Sequence, residues 1–377
     1  MMVASSEKLP QLKTAVVQVI GTFGGGGAQR LAFNLAHGLA ELGMRSYAIA
    51  LREGGIYSDT CDTKVKLFVL NAKAGDLLSN ARAFFNLRAL LKKERIEVVH
   101  VHGTSSLPFI VLATRCMQVC PRIVFTWQDS ESVLDQSGWK KSLLIWALHR
   151  CDAVSGSSRL VAQKLQERAR LPHVGVFHGG VPVCRMPSRK TSTASPMIIW
   201  LGRIVPPKDP QILIHAAAQL RDEGFQFSVC LIGKPIASTV WYLEETEALI
   251  EKLQLQDVVN LLGFLSDEEL QEKMIQADIS VQTSHTEGLS IALMEHMMSG
   301  LAIIATDVGD TAIAIEDGIS GIIIPPKDIK RLTDALKNLL SNHTFRIQLA
   351  SAAHNRAVES YSIHAMAQNA LNEYSTQ

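Results

Sequence analysis

The sequence predicts an α/β protein with two doubly wound, Rossmann-like domains facing a cleft. Three observations carry that prediction. Apolar strands and amphipathic helices alternate along the first half of the chain, the rhythm of a parallel sheet covered on both faces. A polar stretch rich in Pro and Ser, "RMPSRKTSTASP" (185–196), interrupts the rhythm, which then restarts. The 377 residues exceed what one hydrophobic core of ordinary size organises, roughly 250–300 residues.

In the first half, "TAVVQVI" (14–20) is a continuous apolar run, as expected for a strand buried on both faces. The glycine loop "GTFGGGG" follows, then "AQRLAFNLAHGLAELG" (28–43), apolar at helical spacing and stopped by Gly43. "SYAIAL" (46–51) and "KLFVL" (66–70) read as strands, and residues 76–95 as an amphipathic helix with a basic face. "EVVHVHG" (97–103) and "RIVFTW" (122–127) are further strands, residues 142–151 a helix, and "AVSGSS" (153–158) leads into a helix from Arg159. Past the break, strands are expected at 197–202, 227–233, 258–264, 279–284 and 301–306. Helices are expected over "PQILIHAAAQLRDEG", "DEELQEKMIQA" and from near Ser290 to Gly300. The domains fall at 1–188 and 189–360, with 361–377 as a last helix packing back on the first domain.

Composition narrows the class. Hydrophobic residues make up 47% and charged residues 19%, a globular balance. No apolar run is long enough to span a bilayer, and "MMVASSEKLPQLK" lacks the pattern of a secretory signal. The six cysteines are scattered, and Cys116 and Cys120 have three residues between them and no partner pair, so buried free thiols in a reducing cytosol are expected rather than zinc. The net charge of +1 hides a split: +10 over 1–188 and −9 over 189–377. A basic half suits an anionic partner.

The chemistry concentrates in "TEGLSIALMEHMMSG" (286–300). Glu287 and Gly288 fall in a strand-to-helix loop, and the first helix amides, around Leu289 to Ala292, would be free. Free amides at a helix N-terminus suit phosphate. Glu295 lies a further turn along, and carboxylates accept hydrogen bonds from vicinal hydroxyls. In "WLGRIVPPKDP", Arg203 and Lys208 follow the first strand of the second domain. Arg offers a bidentate fork and Lys a mobile point charge to phosphate oxygens. Two cations, a helix N-terminus and two carboxylates at one sheet edge predict a diphosphate site flanked by hydroxyl-bearing groups. The alternative is structural: Glu287 caps the helix and Glu295 pairs with a cation.

These residues resemble the retaining glycosyltransferases of the GT-B class, family 4 (glycosyltransferase group 1). "GRIVPPKD", residues 261–300 and "LAIIATDVGDTAIAIEDGISGIIIPPKD" carry the resemblance densely. "GGGGAQRLAFNLAHGLAELG", "VVHVHG" and "CDAVSGSS" carry it more loosely. The resemblance implies a GT-B fold and transfer of a sugar, with retention and without metal, from a nucleotide diphosphate sugar to a sugar or lipid-linked acceptor. Arg203 and Lys208, beside Gly202, would hold the diphosphate. Glu287 would bind donor-sugar hydroxyls, with Gly288, Leu289, Ser290 and Ile291 nearby, and Glu295 the ribose. Gly263, Phe264 and Leu265 would border the base, Gly26 and Gly27 would approach the diphosphate, and His102 would sit over the reacting sugar. His100 and His102 are two apart on a strand and share a face, so either could be the functional one. No cofactor or metal is expected, and no Asp-x-Asp pair is present.

Several positions depart from the family pattern: Trp127 and Gln128 where a His before Asp is common, His296 and Met297 in a helix usually rich in Ala, Asp310 for Gly, and Gly179 for Asn. These bear on the acceptor side. The basic, aromatic segments 76–95 and 138–150 would suit an anionic membrane surface, placing the protein in the cytoplasm, on the inner face of the membrane. A dinucleotide-dependent oxidoreductase is disfavoured because no frame of G-x-G-x-x-G/A fits "GTFGGGGAQR". A nucleotide-sugar epimerase would not require this Arg, Lys and Glu set. A catalytically silent sugar-nucleotide-binding protein would keep it. A nucleic-acid-binding module has no recognition motif here.

Overall fold

The computed structural model describes residues 14–24, 27–55, 64–115, 117–128, 138–184 and 195–375. Most of the polar break (185–194), Gly26, Cys61 and Cys116 lie outside the described residues. The chain divides into two compact units, the first drawn from 1–157, 161–177 and 366–377, the second from 158–160 and 178–365.

The first unit has the elements β1 (Ala15–Ile20), α1 (Gly27–Glu41), β2 (Arg45–Ala50), β3 (Val65–Val69), α2 (Leu77–Lys93), β4 (Val98–Val101), α3 (Leu107–Arg115), β5 (Arg122–Trp127), α4 (Trp139–Leu148), β6 (Ala153–Gly156), α5 (Arg159–Ala169) and β7 (Gly175–Val176). The strands form one parallel sheet in the order β3-β2-β1-β4-β5-β6-β7. β1 is buried along its whole length, as its unbroken apolar run requires. One face carries α2 to α5 over a core that includes Leu87, Leu91, Ile110, Phe125 and Leu148. The other carries α1, through Leu31, Leu35 and Leu39, together with Met366, Ala367, Ala370 and Tyr374.

The second unit has β8 (Met197–Leu201), α6 (Pro210–Asp222), β9 (Ser228–Ile232), α7 (Val240–Lys252), β10 (Val259–Gly263), α8 (Asp267–Gln276), β11 (Ile279–Gln282), α9 (Ile291–Met298), β12 (Ala302–Thr306), α10 (Thr311–Ala314), β13 (Ile322–Ile324), α11 (Ile329–Ser341) and α12 (His343–Tyr361). The final helix, α13 (Ile363–Ser375), begins in it and contributes its later turns to the first unit. The sheet order is β10-β9-β8-β11-β12-β13, again all parallel. α6, α7 and α11 pack on one face around Trp200, Leu213 and Leu336. α8, α9 and α12 pack on the other around Met294, Met297 and Ala353.

Both sheets therefore reverse direction once, between β1 and β4 and between β8 and β11. Ligands of open parallel sheets bind beyond the carboxyl ends of the strands at such a reversal. The charged loops of 203–208 and 283–288 leave β8 and β11, and the glycine loop and His102 leave β1 and β4.

α2 begins one residue later than expected, because the Asp76 carboxylate accepts the amides of Leu78 and Ser79 as N-cap. α4 is shifted: it runs from Trp139 to Leu148, not from 142 to 151. Gly138 at φ 115° and His149 bound it. Sequence periodicity leaves α3, α7 and α10 to α12 unread.

Candidate functional site

In the second unit, three strand ends are locked to one another by backbone. The Gly202 amide donates to Ile232 O at 3.0 Å and the Gly233 amide to Gly263 O at 2.8 Å. A Cβ on Gly233 would lie 1.8 Å from Gly202 O, so a glycine is needed for the two loops to approach. Gly263, at φ 67°, turns the chain out of β10 through a register shift. Phe264 then projects 70% exposed with the Lys234 ammonium 4.9 Å from its ring centre. Leu265 tucks against the core beside α8 and α9.

The loop after β8 is braced against the loop after β11. The Trp200 indole donates to Thr283 Oγ1 at 2.9 Å, and Thr283 donates in turn to Lys208 O at 2.7 Å. His285 contributes its amide to Pro207 O at 2.8 Å and its Nε2 to Asp209 Oδ2 at 2.6 Å. Tyr242 donates to the other Asp209 oxygen at 3.3 Å. Asp209 adopts φ 44° to enter α6. The result aims Lys208 at Glu287: the ammonium and carboxylate form an ion pair, both half-buried. Glu287 is thus a partner of Lys208 and not the cap of α9, and Ser290 at the N-cap makes no side-chain capping bond. The first amides of α9, which directly follow this loop in the chain, have no helical carbonyl to bond. Arg203 stands exposed in the same loop and has no side-chain partner among the described residues.

Gly288 is clasped from behind. The Asp310 amide donates to Gly288 O at 2.9 Å. A Cβ on Gly309, which sits at φ 56°, would lie 2.1 Å from Gly288 O and 2.2 Å from Glu287 O. Leu289 and Ile291 are partly buried against the core beside α9. Glu295 is 8% exposed on that helix. The departure at Asp310 also has a structural reason. Its buried carboxylate accepts the Arg159 amide at 2.9 Å and the His178 Nε2 at 2.8 Å.

In the first unit, His102 and His100 do share a face, with ring centres 4.2 Å apart. His100 is fully buried, with Nδ1 against the Tyr374 hydroxyl and Nε2 against Thr126 Oγ1, each at 2.8 Å. His102 lies nearer the strand end, 5% exposed. Both its ring nitrogens are engaged, Nε2 with Gln18 Oε1 at 2.8 Å and Nδ1 with Gln128 Nε2 at 3.0 Å. Burial pushes the His102 imidazole down to about 3, and burial with the neighbouring His102 pushes His100 well below the ordinary range. Both rings are therefore neutral near pH 7. Gly27 is the exposed first residue of α1. The sequence marks neither Gln18 nor Tyr374 as a site residue, and it marks Gln128 only as a departure from the family pattern on the acceptor side. Gln18 was legible only as a polar residue inside an apolar strand.

Among the described residues, no three His, Cys, Asp or Glu side chains come together as a metal ligand set. Cys120, Cys151, Cys184 and Cys230 are in no disulfide, but of these thiols, expected to be buried, Cys230 alone is; Cys151 and Cys184 are partly exposed and Cys120 is exposed. On α2, Leu77, Leu78 and Phe85 are exposed beside Arg82, Lys92 and Lys93, and on α4 Trp139 is exposed beside Lys140. Arg88 does not belong to that basic face: it donates to Ala113 O at 2.7 Å and ties α2 to α3. No described helix is long and apolar enough to cross a membrane.

Two Rossmann-type sheets, each with its polar cluster at the reversal of strand order, define the GT-B class of fold. The solved structure of Anabaena HepE in complex with UDP and glucose matches it at a TM-score of 0.76 and 18% identity, covering 97% of this chain and 100% of that one. A glycosyltransferase from Rickettsia africae matches at 0.78 and 18% identity, over 96% and 98%. The chain belongs to glycosyltransferase family 4: the model described as Glycosyltransferase Family 4 matches residues 25–185, and that described as Glycosyl transferases group 1 matches residues 186–356. Among curated relatives, a D-inositol 3-phosphate glycosyltransferase of Frankia alni is 29% identical over 55% of this chain and 56% of its own length. The alpha-D-kanosaminyltransferase of Streptomyces kanamyceticus is 30% identical over 45% of this chain and 43% of its own. The chain thus spans about half the length of the curated relatives it matches.

Proposed function

We propose that this protein is a retaining, metal-independent glycosyltransferase that takes a sugar from a nucleotide diphosphate sugar to a sugar or lipid-linked acceptor in cell-surface glycan or glycolipid synthesis. The observation that carries the proposal is the braced pair Lys208–Glu287 at the opening of α9, with Arg203 beside it.

A nucleoside diphosphate leaving group needs its developing charge stabilised by groups already in place. Arg203, Lys208 and the first amides of α9 would supply that stabilisation. Without ligand, Lys208 neutralises Glu287. A bound diphosphate would offer Lys208 a stronger anionic partner and release Glu287 to accept hydrogen bonds from donor-sugar hydroxyls. Glu295 would accept from the ribose, and Gly263, Phe264 and Leu265 would line the base. In the transfer step, the bond from the anomeric carbon to the diphosphate oxygen breaks. The bond to the acceptor oxygen forms on the same face, and the acceptor proton passes to the departing phosphate oxygen. No protein nucleophile is required. UDP-glucose is the first donor to test, because the fold neighbour HepE was solved with it.

The acceptor would be met by the first unit. The exposed Leu77, Leu78, Phe85 and Trp139, set among cations, support docking on an anionic membrane surface on the cytoplasmic side. A sugar-nucleotide-binding protein without turnover is the second reading, favoured by the engagement of both His102 nitrogens.

The test is release of nucleoside diphosphate from UDP-, GDP- and ADP-sugars, with and without EDTA, with simple glycosides and lipid extracts as acceptors. The product anomer is read by proton NMR. Release that EDTA leaves unchanged, with retained configuration, supports the proposal. Inversion, or loss of release in EDTA, contradicts the mechanism. Donor binding with no release under any condition favours the second reading.

A further inference from the structure

The buried polar groups of the first unit form one hydrogen-bonded line. Gln18 on β1 is fully buried. Its Nε2 donates to the Tyr374 hydroxyl at 3.4 Å, which turns its Oε1 to His102 Nε2 at 2.8 Å. An amide oxygen only accepts, so His102 carries its hydrogen on Nε2. The Tyr374 phenol, accepting from Gln18, gives its own hydrogen to His100 Nδ1 at 2.8 Å. Neutral His100 is then protonated on Nε2 and donates to Thr126 Oγ1 at 2.8 Å. Thr126 donates to Ser155 Oγ at 2.9 Å, and Ser155 donates to Phe125 O at 3.5 Å. The Ser155 hydroxyl also meets the Glu373 carboxyl, and the direction of the line comes from the Gln18 amide, nitrogen toward Tyr374 and oxygen toward His102. With Gln18 turned over, every hydrogen from Gln18 to Thr126 would reverse, and both histidines would carry theirs on Nδ1.

The direction leaves His102 Nδ1 bare, and there it accepts from Gln128 Nε2 at 3.0 Å. His102 has no ring nitrogen to offer a ligand. Gln128 is the partly exposed member of the line, at the carboxyl end of β5. Its Oε1 takes no partner among the described residues. An amide oxygen held at its nitrogen end is a fixed acceptor for a hydroxyl hydrogen.

We propose that Gln128 is the group by which the first unit receives a substrate hydroxyl, and that Gln18 and Tyr374 are positioning residues that hold it there through His102. The identity of the substrate rests on the glycosyltransferase reading; the hydrogen-bond line does not. Near His102 the titratable groups are His100 and Tyr374, with Glu373 and Arg122 at the far end of the line by Ser155. The neutral form of His102 at neutral pH follows from its burial among them.

The experiment is NMR on the full chain with 15N-labelled histidine and glutamine, and it needs no turnover. Between about pH 5 and about pH 8, the ordinary titration range of imidazole, His102 should show a bare Nδ1 and a protonated Nε2 that do not titrate. A protonated Nδ1, or titration in that range, overturns the assignment. Gln128→Glu replaces the donor by an acceptor-only carboxylate and should move the His102 hydrogen to Nδ1. Tyr374→Phe, which removes only the hydroxyl, should shift the His102 nitrogens, and rescue is not expected from Tyr374→Leu. Unchanged His102 signals in both Gln128→Glu and Tyr374→Phe overturn the line. Octyl glucoside added to the UDP-saturated protein should shift the Gln128 side-chain amide, and an unmoved amide overturns the contact with substrate. A failed glycosyltransferase assay with the predicted histidine signals would instead count against the function alone.

Discussion

Replacing Gly309 by alanine tests whether the 287–288 loop is held where a diphosphate sugar needs it. The Cβ would lie 2.1 Å from Gly288 O and 2.2 Å from Glu287 O, whereas real Cβ contacts stay beyond 3.0 Å. The loop must retreat by roughly 0.9 Å, on the scale at which a misplaced reactive group loses about 10²-fold in rate. The same change strains the backbone, since φ is 56° and an L-residue there costs about 1–2 kcal/mol. Gly318→Ala separates the two effects: its φ is 74° and nothing lies within 4 Å of the added carbon. Gly318→Ala should lose about 1–2 kcal/mol and Gly309→Ala at least as much, since its clash adds to the strain, seen as a fall in Tm of some 2–4 °C for each kcal/mol. Only Gly309→Ala should weaken UDP-glucose binding by calorimetry, by about tenfold or more, and suppress UDP release further. If Gly309→Ala binds and turns over donor as Gly318→Ala does, the loop does not form the site.

Lys208→Ala should leave the half-buried Glu287 carboxylate without its cation, lowering stability by about 1–3 kcal/mol and donor affinity by at least tenfold. Lys208→Arg should recover the former more than the latter, checked by denaturant titration and calorimetry. His102 and His296 are held neutral by burial, down to about 3 and about 4. An unfolded chain takes up these protons near pH 6.5, so it binds more protons than the folded one below that pH. Stability should then fall as pH drops from about 6.5 toward 4, by up to roughly 1.4 kcal/mol per pH unit for each ring, and His296→Leu should flatten the slope in urea melts. Glu373 has the opposite sign: burial pushes its carboxyl up to about 7. Stability is lost as pH rises from about 4.5 to about 7, and Glu373→Gln should be the more stable protein at pH 8 in the same melts. Phe85→Ser with Trp139→Ser removes two exposed aromatics and should release the protein from phosphatidylglycerol vesicles in sedimentation, while wild type that never binds them removes the membrane docking.

Ten of the thirteen described strands were legible as largely apolar runs, the pattern of burial on both faces, whereas β6, β7 and β13, at two to four residues each, are too short to show one. α2 and α6 were legible from their periodicity. α3 was not, because "LPFIVLATR" is apolar almost all round and has no face to read. The strand-end loops carrying Arg203, Lys208, Glu287 and Gly288 could be placed at a sheet edge from sequence order alone. What braces them could not. Thr283 meets Lys208 and Trp200, and His285 meets Asp209, only after β8 and β11 become neighbours, across 75, 83 and 76 residues of chain, and Tyr242 reaches Asp209 from α7 across 33. Tyr374 is 274 residues from His100, and nothing local in the last helix announces that its hydroxyl enters the first sheet. The burial of both His100 and His102 is likewise not contained in two residues of spacing.

The central claim is a metal-free nucleotide diphosphate site on the second unit, and a thermal-shift titration tests it most directly. UDP, GDP, ADP and their common sugar conjugates would be titrated in EDTA against wild type and Glu295→Ala. A ligand at about 100 times its Kd stabilises by about 2.7 kcal/mol. One nucleotide should raise the wild-type Tm by several degrees and leave Glu295→Ala unmoved. No shift from any of them in a folded sample, or the same shift in both proteins, would contradict the site.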